Sequence, residues 1–238
     1  MHISAILFDK DGTLFDFRST WLPILTDVAN QVAQGNTKTA GALIRAAGYD
    51  PETDRFVPDG PIAAGNSHDI ATAWQTVLPT RDTQELQQLI DHISEVRGPA
   101  ASVPVCDLSA LLDQLSQLDV VAGLATSDSE AGARKTLDRF DITGRFRWIS
   151  GYDSGTGTKP DPAVVHAFAR HISTPSRTIA VVGDTLHDIM MGRNAGAAVT
   201  IAVLTGAVAR GVITPYADQV IDSIAELPEL LLRLRAAH

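Results

Sequence analysis

The stretch "AILFDKDGTLFD", residues 5–16, decides the fold. Ile6, Leu7 and Phe8 make a short apolar run that stops abruptly in Asp9, Lys10 and Asp11. A continuous apolar run, rather than an alternating one, fits a strand buried on both faces of a sheet. Charge is costly inside such a core. Two carboxylates at the end of a core strand therefore need a reason beyond packing.

Similar runs recur along the chain as "DVVAGLAT" (119–126), "TIAVVGD" (178–184) and "VTIAVLT" (199–205). Helical patterns lie between and before them at 108–118, 129–140, 162–172 and 186–196. Strand alternating with helix predicts an α/β fold, a Rossmann-like parallel sheet with helices on both faces. Residues 17–99 break the rhythm. They hold amphipathic patterns at 19–34, 37–47, 67–78 and 82–96, a Pro/Gly-rich stretch at 48–66 and no convincing strand. The expected organisation is a discontinuous core, 1–16 and 100–238, with an all-helical cap inserted at 17–99 and a return linker around Pro99 and Pro104.

Polar residues fall at the strand ends. The first strand ends in Asp9, the second in Thr126, Ser127 and Asp128, and the strand over 178–184 in Gly183 and Asp184. The loop "GTGTKPDP" (155–162) delivers Lys159 just before a helix start. In open parallel sheets ligands sit outside the carboxyl ends of the strands, so the unusual chemistry clusters on one edge.

Bulk properties narrow the partners. The 238 residues carry a net charge of −9, which argues against a nucleic-acid or anionic-membrane surface. The single cysteine, Cys106, excludes an intramolecular disulfide and fits a reducing compartment. With no signal or membrane-spanning run, a soluble cytoplasmic protein is expected. The oligomeric state is not readable.

Four motifs in order, "DKDGT", the strand ending "LATS", "KPDP" and "GDTLHD", with a helical insertion after the first, resemble the haloacid dehalogenase superfamily. The resemblance is to its small-molecule phosphatases of the phosphoglycolate-phosphatase type. It implies a Mg²⁺-dependent phosphatase acting on a small phosphorylated metabolite through an aspartyl-phosphate. Asp9 is then the nucleophile, and Asp11 the general acid and later the base. The extended i, i+2 spacing directs both carboxylates at one substrate, with Lys10 between them pointing elsewhere. Gly12 permits a tight turn with amides facing the phosphate, and Thr13 caps it. By the same resemblance Mg²⁺ is held by the Asp9 and Asp184 side chains and the Asp11 carbonyl, with Asp188 holding a metal-bound water or orienting Lys159. Thr126, Ser127 and Lys159 bind the phosphate. Asp184 and Asp188 also suit helix capping. His187 is expected to face solvent, and His166 and His171 to be surface or packing residues.

A phosphomutase with the same core stays open. A dehalogenase, which would not need Asp11, Asp184 or Mg²⁺, and a non-catalytic binding protein, which should have lost a carboxylate, are less favoured. Specificity falls to the cap, where 58–69 is the candidate reading loop through Asn66, Ser67 and His68. Those residues equally suit an ordinary helix N-cap. The segment 17–99 has six basic and ten acidic residues, a poor trap for polyanions. If a second anionic group is read, Arg18 or Arg45 is the candidate.

Overall fold

The computed structural model describes residues 2–236, and the opening apolar run forms strand β1 (Ala5–Phe8), every residue of it buried. The chain then leaves the sheet through α1 (Phe17–Val32), α2 (Thr37–Ala46), a ribbon of β2 (Tyr49–Asp50) and β3 (Arg55–Phe56), α3 (Pro61–Ala64), α4 (Ser67–Gln75) and α5 (Thr83–Ala101). It returns as α6 (Leu108–Gln117), β4 (Val121–Ala125), α7 (Glu130–Arg139), β5 (Phe146–Ser150), α8 (Ala163–His171) and β6 (Ile179–Gly183). The last elements are α9 (Leu186–Asn194), β7 (Val199–Val203), α10 (Arg210–Ile213), β8 (Gln219–Ile221) and α11 (Leu227–Ala236).

Six strands form one parallel sheet in the order β5-β4-β1-β6-β7-β8, with β1 central. Successive side chains of a strand face opposite sides, and the two sides pack separately. Ile6, Phe8, Leu124, Val182 and Ile201 meet α6, α7 and α11 through Leu111, Leu115, Leu137 and Leu231. Ala5, Leu7, Ala125, Ile179 and Val181 meet α8 and α9 through Val165, Phe168 and Met191. That double burial is why these strands read as unbroken apolar runs. The α/β architecture expected from the sequence is the one observed.

The inserted helices gather a hydrophobic cluster of their own, with Leu25, Val28, Leu43, Ile70, Trp74, Leu86 and Ile90 at its centre. Trp74 buries completely and donates its indole N–H to the Leu43 carbonyl at 2.8 Å. Asp16, Asn36, Asn66 and Asp82 cap α1, α2, α4 and α5 by accepting first-turn amides.

Three features differ from expectation. The insertion carries the β2–β3 ribbon besides its helices, its two short strands lying within the Pro/Gly-rich stretch. Pro99 sits inside the last turns of α5 rather than in a linker. Strands β5 and β8 gave no signal because they are edges of the sheet: Arg147 in β5 is exposed, and β8 is three residues long.

Candidate active site

Strand register brings the polar residues together. Phe8 pairs with Leu124 and with Val182. The residues that follow, Asp9, Thr126 and Asp184, therefore leave the sheet on the same edge within a residue or two of one level. Lys159 arrives from the loop before α8 and pairs with both Asp9 and Asp188, 2.7 Å from the latter's Oδ1. Asp188 also completes the start of α9, where its Oδ2 accepts from the Thr185 hydroxyl at 2.6 Å and amide at 3.1 Å. One side chain thus both caps a helix and holds the lysine.

The turn after β1 is shaped by its neighbours. Gly12 adopts φ +91°, and a Cβ there would meet the Asp184 carboxylate at 2.5 Å. Gly206, in the loop after β7, likewise leaves no room for a Cβ beside Asp184, whose Oδ2 accepts the Ala207 amide at 3.2 Å. The Thr205 hydroxyl donates to the Gly12 carbonyl at 2.6 Å. The loop after β7 therefore closes the site, a role its sequence did not announce. The Thr13 hydroxyl, expected to cap the turn, is buried without a hydrogen-bond partner.

Lys10 does not line the cavity and instead holds two carboxylates that do. Its ammonium is buried between Asp11 Oδ2 at 3.1 Å and Asp128 Oδ2 at 2.7 Å. Burial opposes its charge, but Asp11 and Asp128 outweigh that and hold it well above the usual lysine range. Lys159 is in the same position: burial opposes the charge, and Asp188 and Asp9 more than restore it.

The carboxylates remain short of positive charge. Burial pushes Asp9 up to about 7, with Lys159 pulling it down and Asp188 and Asp11 pushing it further up. Burial raises Asp11 too, against Lys10, and raises Asp184 well above the carboxylate range, with Asp9 and Asp188 adding repulsion. Asp9 Oδ2 and Asp184 Oδ1 are buried without a hydrogen-bond partner. Oxygens of Asp9, Asp184 and Asp188 lie within 4.8 Å of one another. An oxygen-only, electron-rich cluster with orphaned carboxylate oxygens fits a hard divalent cation such as Mg²⁺.

These groups line a solvent-connected cavity of about 70 Å³ roofed by the inserted helices. Asp9, Asp11, Thr126, Ser127, Lys159, Asp184 and Asp188 all face it. Thr126 Oγ1 accepts the Asp128 amide at 3.1 Å, which leaves its hydroxyl proton free. From the cap come Phe17, Trp21, Ile62, Asn66, Ser67, Ile70, Ile90 and Asp91, and from the loop after β5 Tyr152.

Several cap residues singled out from the sequence lie elsewhere. Arg18 is exposed and paired with Asp54, and Arg45 is exposed and near Glu52 at 3.9 Å; neither lines the cavity. Each finds a carboxylate on its own surface. His68 is exposed and contacts Gln87 at 3.2 Å. Asn66 lines the cavity, but its side chain is engaged in a capping box with Asp69. His187, expected in solvent, donates from Nδ1 to the Ala64 carbonyl at 2.8 Å and so ties α9 to the cap. Trp21, Asp91 and Tyr152 were given no role at the site from sequence, because only long-range packing brings them there.

A description of haloacid dehalogenase-like hydrolases matches residues 3–196, and the chain belongs to that family. It is 26% identical to an N-acetylmuramic acid 6-phosphate phosphatase of Pseudomonas aeruginosa, covering 98% of this chain and 96% of the relative. It is also 26% identical to a phosphoglycolate phosphatase of Agrobacterium fabrum, covering 94% and 91% respectively. Among solved structures, a haloacid dehalogenase-like family hydrolase from Streptococcus pneumoniae superposes with a TM-score of 0.74 at 18% identity, covering 96% of this chain and 98% of that one. No helix among the described residues is long and apolar enough to cross a membrane.

Proposed function

We propose that the protein hydrolyses a small phosphate monoester through an aspartyl-phosphate on Asp9, with Mg²⁺ bound. The observation that carries this reading is the convergence of Asp9, Asp11, Lys159 and Asp184 on one cavity, with carboxylate oxygens left unpartnered at its floor. The phosphatase names of the relatives support the same reaction class.

Phosphoryl transfer asks mainly for positioning and charge compensation. An Asp9 carboxylate oxygen attacks phosphorus, and the bond to the ester oxygen breaks as Asp11 hands that oxygen its proton. Burial strengthens the hold of Asp11 on a proton, while Lys10, itself held by Asp128, fixes the carboxyl's position. The alcohol departs. Asp11, now a base, takes a proton from a water that attacks phosphorus, which releases inorganic phosphate and restores Asp9. Lys159, held by Asp188, offsets charge on the phosphoryl oxygens, and Thr126 donates its free hydroxyl proton to one of them, with Ser127 beside it. Mg²⁺, held by the side chains of Asp9 and Asp184 and the Asp11 carbonyl, would supply the charge compensation that lets two anions approach.

The test is phosphate release from a panel of monoesters, with Mg²⁺ and with EDTA. Turnover that needs Mg²⁺ and liberates inorganic phosphate supports the reading. Transfer of the phosphoryl group back to a hydroxyl of the product, without free phosphate, would assign the site to a mutase instead.

A further inference from the structure

The cavity has no cation to spare for a second acid. Among the described residues six carboxylates line it, those of Asp9, Asp11, Asp91, Asp128, Asp184 and Asp188, against one lysine, Lys159, and no arginine. Lys159 is already shared between Asp9 and Asp188, and Lys10 between Asp11 and Asp128. Among the described residues the adjoining cavity adds one basic side chain, His187, whose Nδ1 is given to the Ala64 carbonyl, and one more acid, Asp69. Arg18 and Arg45, the candidates for reading a second anionic group, are paired with acids outside the cavity.

The cap side offers the opposite chemistry. Asp91 on α5 faces the cavity and accepts from the Tyr152 hydroxyl at 2.9 Å. Tyr152 in turn receives Ser67 Oγ and Gln87 Nε2, each at 3.4 Å. This network fixes the Asp91 carboxylate at the seam between α5 and the loop after β5, with acceptor capacity in hand. The Trp21 indole N–H also lines the cavity, buried beside the Asp11 carboxyl and close enough to favour its charged form. Around these two groups the wall is apolar, from Phe17, Ile62, Ile70 and Ile90. A carboxylate with lone pairs to spare, an indole N–H and an apolar wall suit a hydroxylated carbon skeleton. They repel a carboxylate.

Resting on the phosphatase reading, we infer that the substrate is the phosphate ester of a neutral polyol or sugar, and that Asp91 is the residue that selects it by accepting a hydroxyl. A carboxylated ester such as phosphoglycolate would bring a second anion against Asp91 with no cation to meet it. A fixed acceptor also gives a direction to the preference: replacing its charge should weaken the hydroxylated ester and relieve the acid.

The experiment compares two esters that differ only at the far end, 2-hydroxyethyl phosphate and phosphoglycolate, alongside hexose 6-phosphates and p-nitrophenyl phosphate. The wild-type protein is expected to favour 2-hydroxyethyl phosphate over phosphoglycolate by roughly tenfold or more in kcat/KM, since a charged hydrogen bond is gained by one and repulsion by the other. Asp91→Asn should narrow that ratio, mainly through KM, and Asp91→Lys should invert it in favour of phosphoglycolate. Melting temperatures show whether each variant folds, and Asp91→Asn, which keeps the oxygen that Tyr152 reaches, decides the matter if the lysine variant does not. Equal or better turnover of phosphoglycolate by the wild type, or an unchanged ratio in Asp91→Asn, would overturn the inference while leaving the phosphatase reading intact. No turnover of any ester, p-nitrophenyl phosphate included, would overturn both.

Discussion

The strand ends of the core and the helix starts of the cap both concentrate polar side chains, but they use them differently. In the cap Asp16, Asn36, Asn66 and Asp82 each accept an amide of the helix they open, and Arg18, Arg45 and Arg97 sit in exposed pairs. These groups serve local structure, the caps worth about 0.5–2 kcal/mol each and the exposed pairs about 1 kcal/mol or less. At the core edge Asp9, Lys10, Asp184 and Asp188 are buried, mutually repelling in part, and keep unpartnered oxygens. Burial without full satisfaction costs stability, so such an arrangement persists where it serves chemistry.

The sharpest way to break this contrast is Asp9→Asn. It removes the proposed attacking oxygen and a carboxylate of the proposed cation site together, and kcat should fall by about a thousandfold or more. The protein should stay folded, because the substitution relieves repulsion with Asp188 and Asp11. A variant with a tenth of wild-type kcat would place the nucleophile elsewhere.

Chelation should act through the same crowding. EDTA is expected to abolish turnover, and Mg²⁺ to restore it and raise the melting temperature. Saturating an ion site at a hundred times its Kd contributes about 2.7 kcal/mol. The pH sign follows from the carboxylates. Asp9 is raised to about 7, above its ordinary value, so the metal-free folded protein holds a proton there that the unfolded chain has lost by pH 6. Metal-free stability therefore declines as pH rises from about 4 through 7, and Mg²⁺, which displaces that proton, should stabilise more at pH 7.5 than at pH 5.5. A melting temperature indifferent to Mg²⁺ at both pH values would argue against a cation on this cluster.

Within the site, charge should outrank hydroxyl. Lys159→Ala leaves Asp9 and Asp188 buried without their cation and should lower kcat/KM by about a hundredfold or more, whereas Thr126→Ala loses one neutral donor and should cost roughly tenfold. Steady-state kinetics on one ester would rank them, and the reverse order would mean that the phosphoryl group sits closer to the end of β4 than to Lys159.

What could be read from the sequence follows from how local each signal is. The central strands announce themselves because both faces are buried, and Asp9, Thr126 and Asp184 stand out because each directly follows such a strand. Edge strands β5 and β8 carry no such run. Strand alternation marks Lys10 as a supporting residue, but not what it supports, because its partner Asp128 comes from the end of the neighbouring strand, 118 residues on. Asp91 and Tyr152 meet from different segments 61 residues apart, and nothing near either marks the encounter. In the cap the same residue types that signal binding also signal capping, and "GNSHD" does not say which.

The smallest expected effect tests that last ambiguity. Asn66 faces the cavity, yet its side-chain oxygen accepts the His68 and Asp69 amides while Asp69 returns the bond to the Asn66 amide. If capping is its work, Asn66→Ala should cost about 1 kcal/mol of stability. It should change kcat/KM on a good substrate and on p-nitrophenyl phosphate by the same factor. Asn66→Asp, which caps equally well, should restore the stability. His68→Ala removes only an exposed contact with Gln87 and should stay within about 0.5 kcal/mol of wild type, with both rates unchanged. Discrimination between the two esters that moves in either variant would give this loop a part in reading the substrate. Selection would then be shared across the cavity instead of resting with Asp91, and the division between a cap that spends its polar groups on structure and a core that spends them on chemistry would fail at this helix start.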